Sequence, residues 1–122
     1  MHRDIKPENF LINGNSTTDA SSENTMGIKL ADFGLAKDFK KSRGGAHTEY
    51  VATRWYRAPE LVLRQPTYDQ SVDVFALGCI MAELYLGRPL FPGVSEADQL
   101  TRIVTILGTP SQQDWPEGHR VA

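Results

Sequence analysis

The chain has 122 residues, enough for one small domain with a modest hydrophobic core. With 40% hydrophobic and 23% charged residues the composition is that of an ordinary globular chain, and a formal net charge of −2 gives no support for nucleic-acid or anionic-membrane binding. The longest apolar stretch, residues 74–86, contains Glu83 and is too short and too polar to cross a bilayer.

A single cysteine, Cys79, excludes an internal disulfide and fits a reducing compartment. It lies in the apolar run VFALGCIMAEL, which favours a buried small hydrophobic side chain over a reactive thiol. The first residues are charged and lack an apolar core, so no signal peptide is expected. We therefore expect an intracellular protein of the cytoplasm, the nucleus or both.

Two short apolar runs, NFLI and GIKLADFG, are bounded by turn-forming residues and predict two strands joined as a hairpin. The segment between them, residues 13–27, is rich in Ser, Thr, Asn and Gly and predicts a flexible loop. A solvated surface insertion and a regulated segment both fit this composition.

Residues 37–70 are predicted to be mostly irregular, with a short helix entered through proline in RAPELVL. From Ser71 to Leu86 the pattern is apolar on nearly all sides, which predicts a helix buried within a core.

Another helix is predicted after Ser95, which forms a helix-starting pair with Asp98. The helix should end at Gly108, and the segment SQQDWPEG is predicted as loop. One face of this helix carries four apolar residues, Leu100, Ile103, Val104 and Leu107.

The chemistry is concentrated in short polar motifs, beginning with HRDIKPEN, followed by ADFG and then by APE near residue 60. A lone H-R-D also fits a capped helix or a surface ion pair, and D-F-G occurs by chance in many proteins. The order and spacing of all these motifs together are far harder to obtain by accident.

Phosphoryl transfer needs residues of these types, because it depends mainly on positioning and on stabilisation of charge. Asp4 is the candidate acid that orients an attacking hydroxyl and accepts its proton, and Lys6 is the nearby cation. Mg²⁺ prefers hard oxygen ligands and takes few from the protein, and Asn9 and Asp32 supply an amide and a carboxylate oxygen.

These motifs resemble the eukaryotic protein kinase family, in which they form the catalytic loop, the metal-binding turn and the end of the activation segment. Lys6, two positions after Asp4, resembles serine/threonine kinases more than tyrosine kinases. The resemblance covers residues 1–122 outside the insertion at 13–27. It implies an α+β, mainly α fold that forms part of a kinase C-terminal lobe.

The segment TEYVATRWYRAPELVL resembles the activation lip of the CMGC kinases, the group of mitogen-activated, cyclin-dependent and related enzymes. Thr48 and Tyr50 then match a dual phosphorylation motif, although ordinary lip residues are the alternative. The motifs GRPLFPG, DQL and LGTP are also typical of this group. LGTPSQQDWPEG is most similar to the male-germ-cell-associated and intestinal-cell kinase branch, with a mitogen-activated-like kinase as the alternative.

The resemblance also implies roles for several cations. Arg3 matches the residue that receives the phosphate of the lip threonine, and Arg54 and Arg57 match the pair that receives phosphotyrosine. Arg57 additionally matches the residue that shapes a pocket for proline after the phosphoacceptor. A solvated basic face is the alternative for Arg54 and Arg57.

Further positions follow from the same resemblance. Leu11 and Ala31 match residues beside the adenine, so the implied ATP site contains Leu11, Ala31, Lys6 and Asp32. Asp73 matches the helix residue that braces the catalytic-loop backbone. Glu60 matches a glutamate that pairs with an arginine near the end of the domain, and no residue after 107 matches the motif of that arginine.

Two positions depart from the CMGC pattern. Lys37 stands where many of these kinases have a second phosphate-binding arginine, and Phe75 replaces the usual tryptophan. Neither departure removes a catalytic group.

The resemblance implies ATP and Mg²⁺ as cofactors, protein Ser/Thr substrates with proline-directed specificity, and an upstream activating kinase. A G-x-G-x-x-G loop and a V-A-I-K lysine, which precede the catalytic loop in this family, do not occur in the sequence. We therefore expect the middle of a kinase domain from a truncated gene model, or alternatively a genuine short protein.

Two classes of function follow from the sequence. In the first, the chain is the catalytic centre of an active serine/threonine kinase. In the second, it is a catalytically dead binding module or decoy derived from a kinase. By itself the 122-residue chain is expected to fold poorly and to be inactive.

Overall fold

The structure is a computed structural model that describes residues 1–13, 27–36 and 54–121. Most of the loop predicted at 13–27 and all predictions for Lys37, Thr48 and Tyr50 lie outside the described residues. No helix in the described ranges has the length and apolar character needed to span a membrane.

The two predicted strands form an antiparallel hairpin, with β1 at Phe10–Asn13 and β2 at Gly27–Leu30. The register places Phe10 opposite Leu30 and Asn13 opposite Gly27. A 3₁₀ turn, Pro7–Asn9, precedes β1. The backbone N–H of Ala31 donates to the carbonyl of Asn9 at 2.8 Å, so the pairing continues toward the polar motifs at both strand ends.

The rest of the described chain is mainly helical, which confirms the predicted α+β, mainly α fold. A 3₁₀ turn, Arg54–Tyr56, is followed by four helices: α1 (Pro59–Val62), α2 (Ser71–Leu86), α3 (Glu96–Leu107) and α4 (Pro116–Val121).

Local signals determine where α2 ends and where α3 begins and ends. The helix α2 ends at Gly87, whose φ of 69° is a left-handed conformation that glycine adopts without strain. The side chain of Ser95 accepts a hydrogen bond from the N–H of Asp98 at 3.1 Å, and α3 ends at Gly108 with φ 87°.

The loop prediction for SQQDWPEG is wrong at its C-terminal end, because α4 begins at Pro116. Proline is favourable in the first turn of a helix, and the Cβ that any other residue would add at Gly118 has no room beside the Trp115 ring. With its amide oxygen facing these donors, buried Gln65 accepts from Trp115 Nε1 at 3.1 Å and from the N–H of Gly118 at 2.9 Å. A distant polar residue thus holds the turn of α4, a contact absent from the local pattern.

The core lies between α2, α3 and the Arg54–Tyr56 turn. A buried cluster joins these elements and consists of Tyr56, Ala76, Cys79, Ile80, Phe91 and Ile103. Cys79 is buried, as the sequence predicted. Phe75, at the position of the usual tryptophan, stacks on Phe91 with ring centroids 6.1 Å apart.

Only one side of α2 is buried in this structure, although its apolar pattern is typical of a helix in a core. Its buried residues, Val72, Ala76, Cys79 and Ile80, lie on one side. Large apolar side chains on the other side are exposed, with Leu84 80% and Tyr85 88% accessible. The apolar pattern predicted the helix correctly, but the elements described here pack on only part of its circumference.

Candidate active site

Asp4 and Lys6 form an ion pair at the N-terminal end of the described chain. Lys6 Nζ lies 2.9 Å from Asp4 Oδ2. The Lys6 side chain is 18% exposed and the Asp4 side chain 15% exposed. The hydrogen bond to Asp4 raises the pKa of Lys6 above its usual value, although burial acts in the opposite direction. Lys6 therefore carries its positive charge beside the carboxylate.

Asn9 holds Asp4 from the other direction. Its Nδ2 donates to the backbone carbonyl of Asp4 at 2.8 Å and approaches Asp4 Oδ2 at 3.4 Å. Asn9 is buried and belongs to the 3₁₀ turn that precedes β1. This geometry leaves Asn9 Oδ1 as the amide atom available to a cation.

Asp73, in the first turn of α2, holds the backbone of the catalytic-loop candidate. Its carboxylate accepts from the N–H of His2 at 2.7 Å and from the N–H of Arg3 at 2.8 Å. Arg3 has φ 68°, a left-handed conformation that is costly for a residue other than glycine. Such a conformation persists only where its surroundings hold it, and the two bonds to Asp73 supply that restraint.

His2 links the catalytic-loop candidate to the ADFG segment. Its Nε2 donates to the carbonyl of Ala31 at 2.9 Å, and its Nδ1 accepts from the N–H of Asp4 at 3.3 Å. These partners assign the Nε2–H tautomer. The edge of the buried imidazole also meets the Phe33 ring, with centroids 5.1 Å apart at 61°. The sequence placed His2 in the motif but assigned it no contact.

Asp32 follows the hairpin in a left-handed conformation, with φ 61°. Its Oδ1 accepts from the N–H of Gly34 at 3.2 Å, and the side chain is exposed. The bond between Ala31 and Asn9 places Asn9 next to the residue that precedes Asp32.

The donor set fits Mg²⁺ better than a transition metal. Asp32 supplies a carboxylate and Asn9 an amide oxygen, and Mg²⁺ commonly takes one or two carboxylates while keeping several waters. Within the described ranges, no three His, Cys, Asp or Glu side chains assemble into a metal-binding group.

The two residues implied in adenine binding both lie on the hairpin side of the site. Leu11 is 56% exposed on β1 and stands opposite Lys29. Ala31 is partly buried against the His2 imidazole. In the sequence, Leu11 lies two residues after Asn9, and Ala31 directly precedes Asp32.

The Arg3 guanidinium joins three segments. Its Nε donates to the carbonyl of Leu35 at 2.6 Å, one residue after DFG, and its Nη1 donates to the Tyr68 hydroxyl at 2.9 Å. A guanidinium has five N–H donors, so the group retains capacity for an anion. Tyr68 and Leu35 were not identified from the sequence.

Arg54 and Arg57 create a region of positive charge next to the core. Arg54 Nη1 donates to the carbonyl of Val94 at 3.1 Å, but its buried Nε has no hydrogen-bond partner in the described part of the chain. Burial lowers the pKa of Arg57, and the neighbouring charge of Arg54 lowers it further. Partly buried, mutually repelling cations provide an electrostatic setting that an anion stabilises.

Glu60 lies in the first turn of α1. Burial raises the pKa of its carboxyl, and no cation within the described ranges forms an ion pair with it. It borders a cavity of about 830 Å³ whose wall also contains Tyr68, Leu107 and Trp115. The arginine partner implied by the resemblance is not found among the described residues.

Comparison with known proteins places these contacts in context. The protein kinase domain family matches residues 1–122. The chain is 50% identical over 122 residues to the human serine/threonine-protein kinase MAK, covering 100% of this chain and 18% of that protein. It is 49% identical over 122 residues to the rat serine/threonine-protein kinase ICK, again covering 100% and 18%.

A third relative, rat cyclin-dependent kinase 20, is 51% identical over 117 residues, which is 96% of this chain and 31% of that protein. The chain therefore spans less than a third of the length of each of these three relatives.

Proposed function

Because the chain belongs to the protein kinase domain family, we propose that the protein containing it is a serine/threonine kinase that transfers the γ-phosphate of ATP to protein hydroxyls. The predicted resemblance to the CMGC kinases is confirmed by similarity to MAK, ICK and cyclin-dependent kinase 20. The observation that carries the proposal is the group of Asp4, Lys6 and Asn9, preceded by the His2 and Arg3 backbone that Asp73 holds.

In this proposal Asp4 accepts the proton of the attacking hydroxyl and orients its oxygen. Lys6, kept charged by Asp4, offsets negative charge on the phosphoryl group during transfer. Asn9 bonds Asp4 directly, and Asp73 holds the backbone of the two residues before Asp4. Asp4 is therefore positioned before substrate arrives, and little reorganisation is needed at the moment of reaction.

Asp32 and Asn9 are the proposed ligands of Mg²⁺, and Leu11 and Ala31 the proposed neighbours of the adenine. Bound Mg²⁺–ATP supplies the transferable phosphoryl group and neutralises part of its charge. The contacts of His2 with Ala31 and Phe33 support this arrangement, because they hold the segment containing Asp32 against the loop containing Asp4.

Proline-directed specificity and activation by lip phosphorylation form the finer part of the proposal. The buried Nε of Arg54, which has no partner within the described ranges, and the lowered pKa of Arg57 support a phosphate site at this pair. Arg3 supports a second phosphate site, because its guanidinium has five N–H donors and two bonds are formed among the residues that the structure describes. The proposed phosphorylation sites, Thr48 and Tyr50, lie outside the described residues.

The test is phosphate transfer from radiolabelled ATP by the full purified protein. Peptides with Ser-Pro and Ser-Ala at the acceptor site should differ, with faster labelling of Ser-Pro. Asp4→Asn is the control for a contaminating kinase, because it should remove the activity from the same preparation. A folded protein that binds ATP or a kinase substrate but transfers no phosphate would favour the alternative, a catalytically inactive binding module.

A further inference from the structure

The amide of Gln99 is a completely buried polar group outside the catalytic constellation. Gln99 lies in α3 and is 0% exposed, and its side-chain amide forms two hydrogen bonds with other described residues. Its Oε1 accepts from the N–H of Gly93 at 3.1 Å, and its Nε2 donates to the backbone carbonyl of Trp55 at 3.4 Å. Both ends of the amide are therefore used inside the protein.

A third hydrogen bond closes a ring among these residues. Trp55 Nε1 donates to the carbonyl of Gly93 at 3.1 Å, so Trp55, Gly93 and Gln99 each bond to the other two. The N–H of Gly93 is shared with the carbonyl of Phe91 at 2.9 Å. A buried polar network with satisfied partners has one preferred arrangement and resists displacement.

The ring is tightly packed around Gly93. A Cβ at this position would overlap the Gln99 side chain and approach its Cα at 2.6 Å. Because Gly93 has no side chain, the turn that contains it, between Phe91 and Val94, can approach α3 closely. The turn, α3 and Trp55 are consequently held as one unit.

This unit bears on the segment proposed to contact the protein substrate. Trp55 belongs to the Arg54–Tyr56 turn and stands two residues before Arg57. Arg54, directly before Trp55, donates to the carbonyl of Val94, directly after Gly93. Two consecutive residues of the substrate segment are therefore anchored to two consecutive residues of the turn that leads into α3.

We propose that Gln99 is a positioning residue for protein-substrate recognition, acting through Trp55 on the location of Arg57. This inference rests on the proposed kinase function and on the role of Arg57 near the residue after the phosphoacceptor. Gln99 is not one of the groups that contact Asp4, Lys6 or Asn9. Its removal should weaken peptide binding and leave ATP binding and the chemical step intact.

The experiment measures kcat and the KM values for a Ser-Pro peptide and for ATP in the full protein. Gln99→Met keeps the side-chain length and removes both hydrogen bonds. Trp55→Phe is the milder variant, since it removes only the bond to Gly93. Thr101→Ala, at an exposed site on the same helix, is the matched control.

We expect Gln99→Met to raise the KM for the peptide roughly tenfold, the equivalent of about 1.4 kcal/mol, with a smaller rise for Trp55→Phe. The KM for ATP and kcat should stay near those of the Thr101→Ala control. Unchanged peptide KM values in both ring variants would overturn the inference and leave the proposed function standing.

Two other results would also count against it. A lower kcat together with higher KM values for both the peptide and ATP would show a general structural role for Gln99. Absence of phosphate transfer by the unsubstituted protein would instead overturn the proposed function, and the inference with it.

Discussion

The carboxylate of Asp73 accepts a hydrogen bond from the backbone N–H of Arg3 at 2.8 Å, although the two residues are 70 positions apart in the chain. The other carboxylate oxygen accepts from the N–H of His2 at 2.7 Å. The first turn of α2 therefore determines the backbone path that leads to Asp4. The same bonds hold Arg3 in its left-handed conformation, so this contact supports both the fold and the proposed catalytic loop.

Asp73→Ala should destabilise the protein, because two partly buried backbone N–H groups lose their acceptor. The expected cost is about 1–3 kcal/mol for each unsatisfied group. Asp73→Asn should cost less, since its single amide oxygen can still accept one bond. Urea unfolding of the full protein measures both effects. The exposed residue Asp114 offers a control, and a loss in Asp73→Ala no larger than in Asp114→Ala would contradict this role.

Asp4→Asn should lower kcat by roughly 10²–10⁴, the usual contribution of a general base. The KM for ATP should change little, since Asp4 is not among the proposed ATP ligands. Initial rates at saturating ATP and peptide measure the effect, with Asp114→Asn as the control for a change of one carboxylate elsewhere. An unchanged kcat would remove Asp4 from its proposed role.

Phosphorylation of Thr48 and Tyr50 should raise kcat/KM, because each phosphate brings nearly two negative charges that arginine side chains can bind. Arg3→Ala should reduce the effect of phosphothreonine, and Arg57→Ala the effect of phosphotyrosine. The measurement compares kcat/KM of unphosphorylated and doubly phosphorylated protein, with and without each substitution.

For these regulatory sites, Thr48→Ala and Tyr50→Phe are the matched controls, since each prevents one modification. Equal activity of the phosphorylated and unphosphorylated protein would reject regulation at Thr48 and Tyr50. A loss of the same size in both phosphorylation states would reject the phosphate-binding roles of Arg3 and Arg57.

Cys79 should react slowly with iodoacetamide in the folded protein. Burial raises the pKa of its thiol to about 12, so the reactive thiolate is scarce at about pH 8, where an ordinary cysteine is partly ionised. Because the folded pKa lies above the unfolded value, the neutral thiol contributes stability at low pH that is lost as pH rises from 9.0 toward about 12.

Mass spectrometry of alkylated protein in buffer and in denaturant checks the behaviour of Cys79. Rapid labelling is expected only in denaturant. Equal rates in the two conditions would show that the thiol is accessible in the native state, in favour of the reactive alternative that the sequence left open.

Local patterns in the sequence were sufficient for most of the secondary structure. Alternating turn formers and apolar runs predicted β1 and β2, and the apolar stretch predicted α2. Ser95 and Gly108 predicted the start and the end of α3, because capping and left-handed φ values are properties of single residues and their near neighbours. The helix α4 was missed although Pro116 favours a helix start, and the contact of its first turn with Gln65, far away in the chain, is not visible in the local pattern.

The residues of the candidate site were predicted from the sequence, but most of the contacts that support them were not. The motifs HRDIKPEN and ADFG identified Asp4, Lys6, Asn9 and Asp32 without any structure, because their chemistry is carried by residue type and spacing. The residues that hold these motifs in place could not be identified from residue type and spacing. A carboxylate in α2 was implied only by resemblance, and the bond from Arg3 to Tyr68 was not predicted at all.

Only the tertiary structure decided which side of α2 is buried and which groups satisfy Gln99. The type of a residue predicts that its side chain will be buried or hydrogen-bonded. It does not predict the contacting residue, because that depends on how distant segments pack. Gln99 and Trp55 are 44 residues apart, and no local period connects them. Residue type therefore determined the chemistry available to this chain, and long-range packing determined which backbone groups hold that chemistry in place.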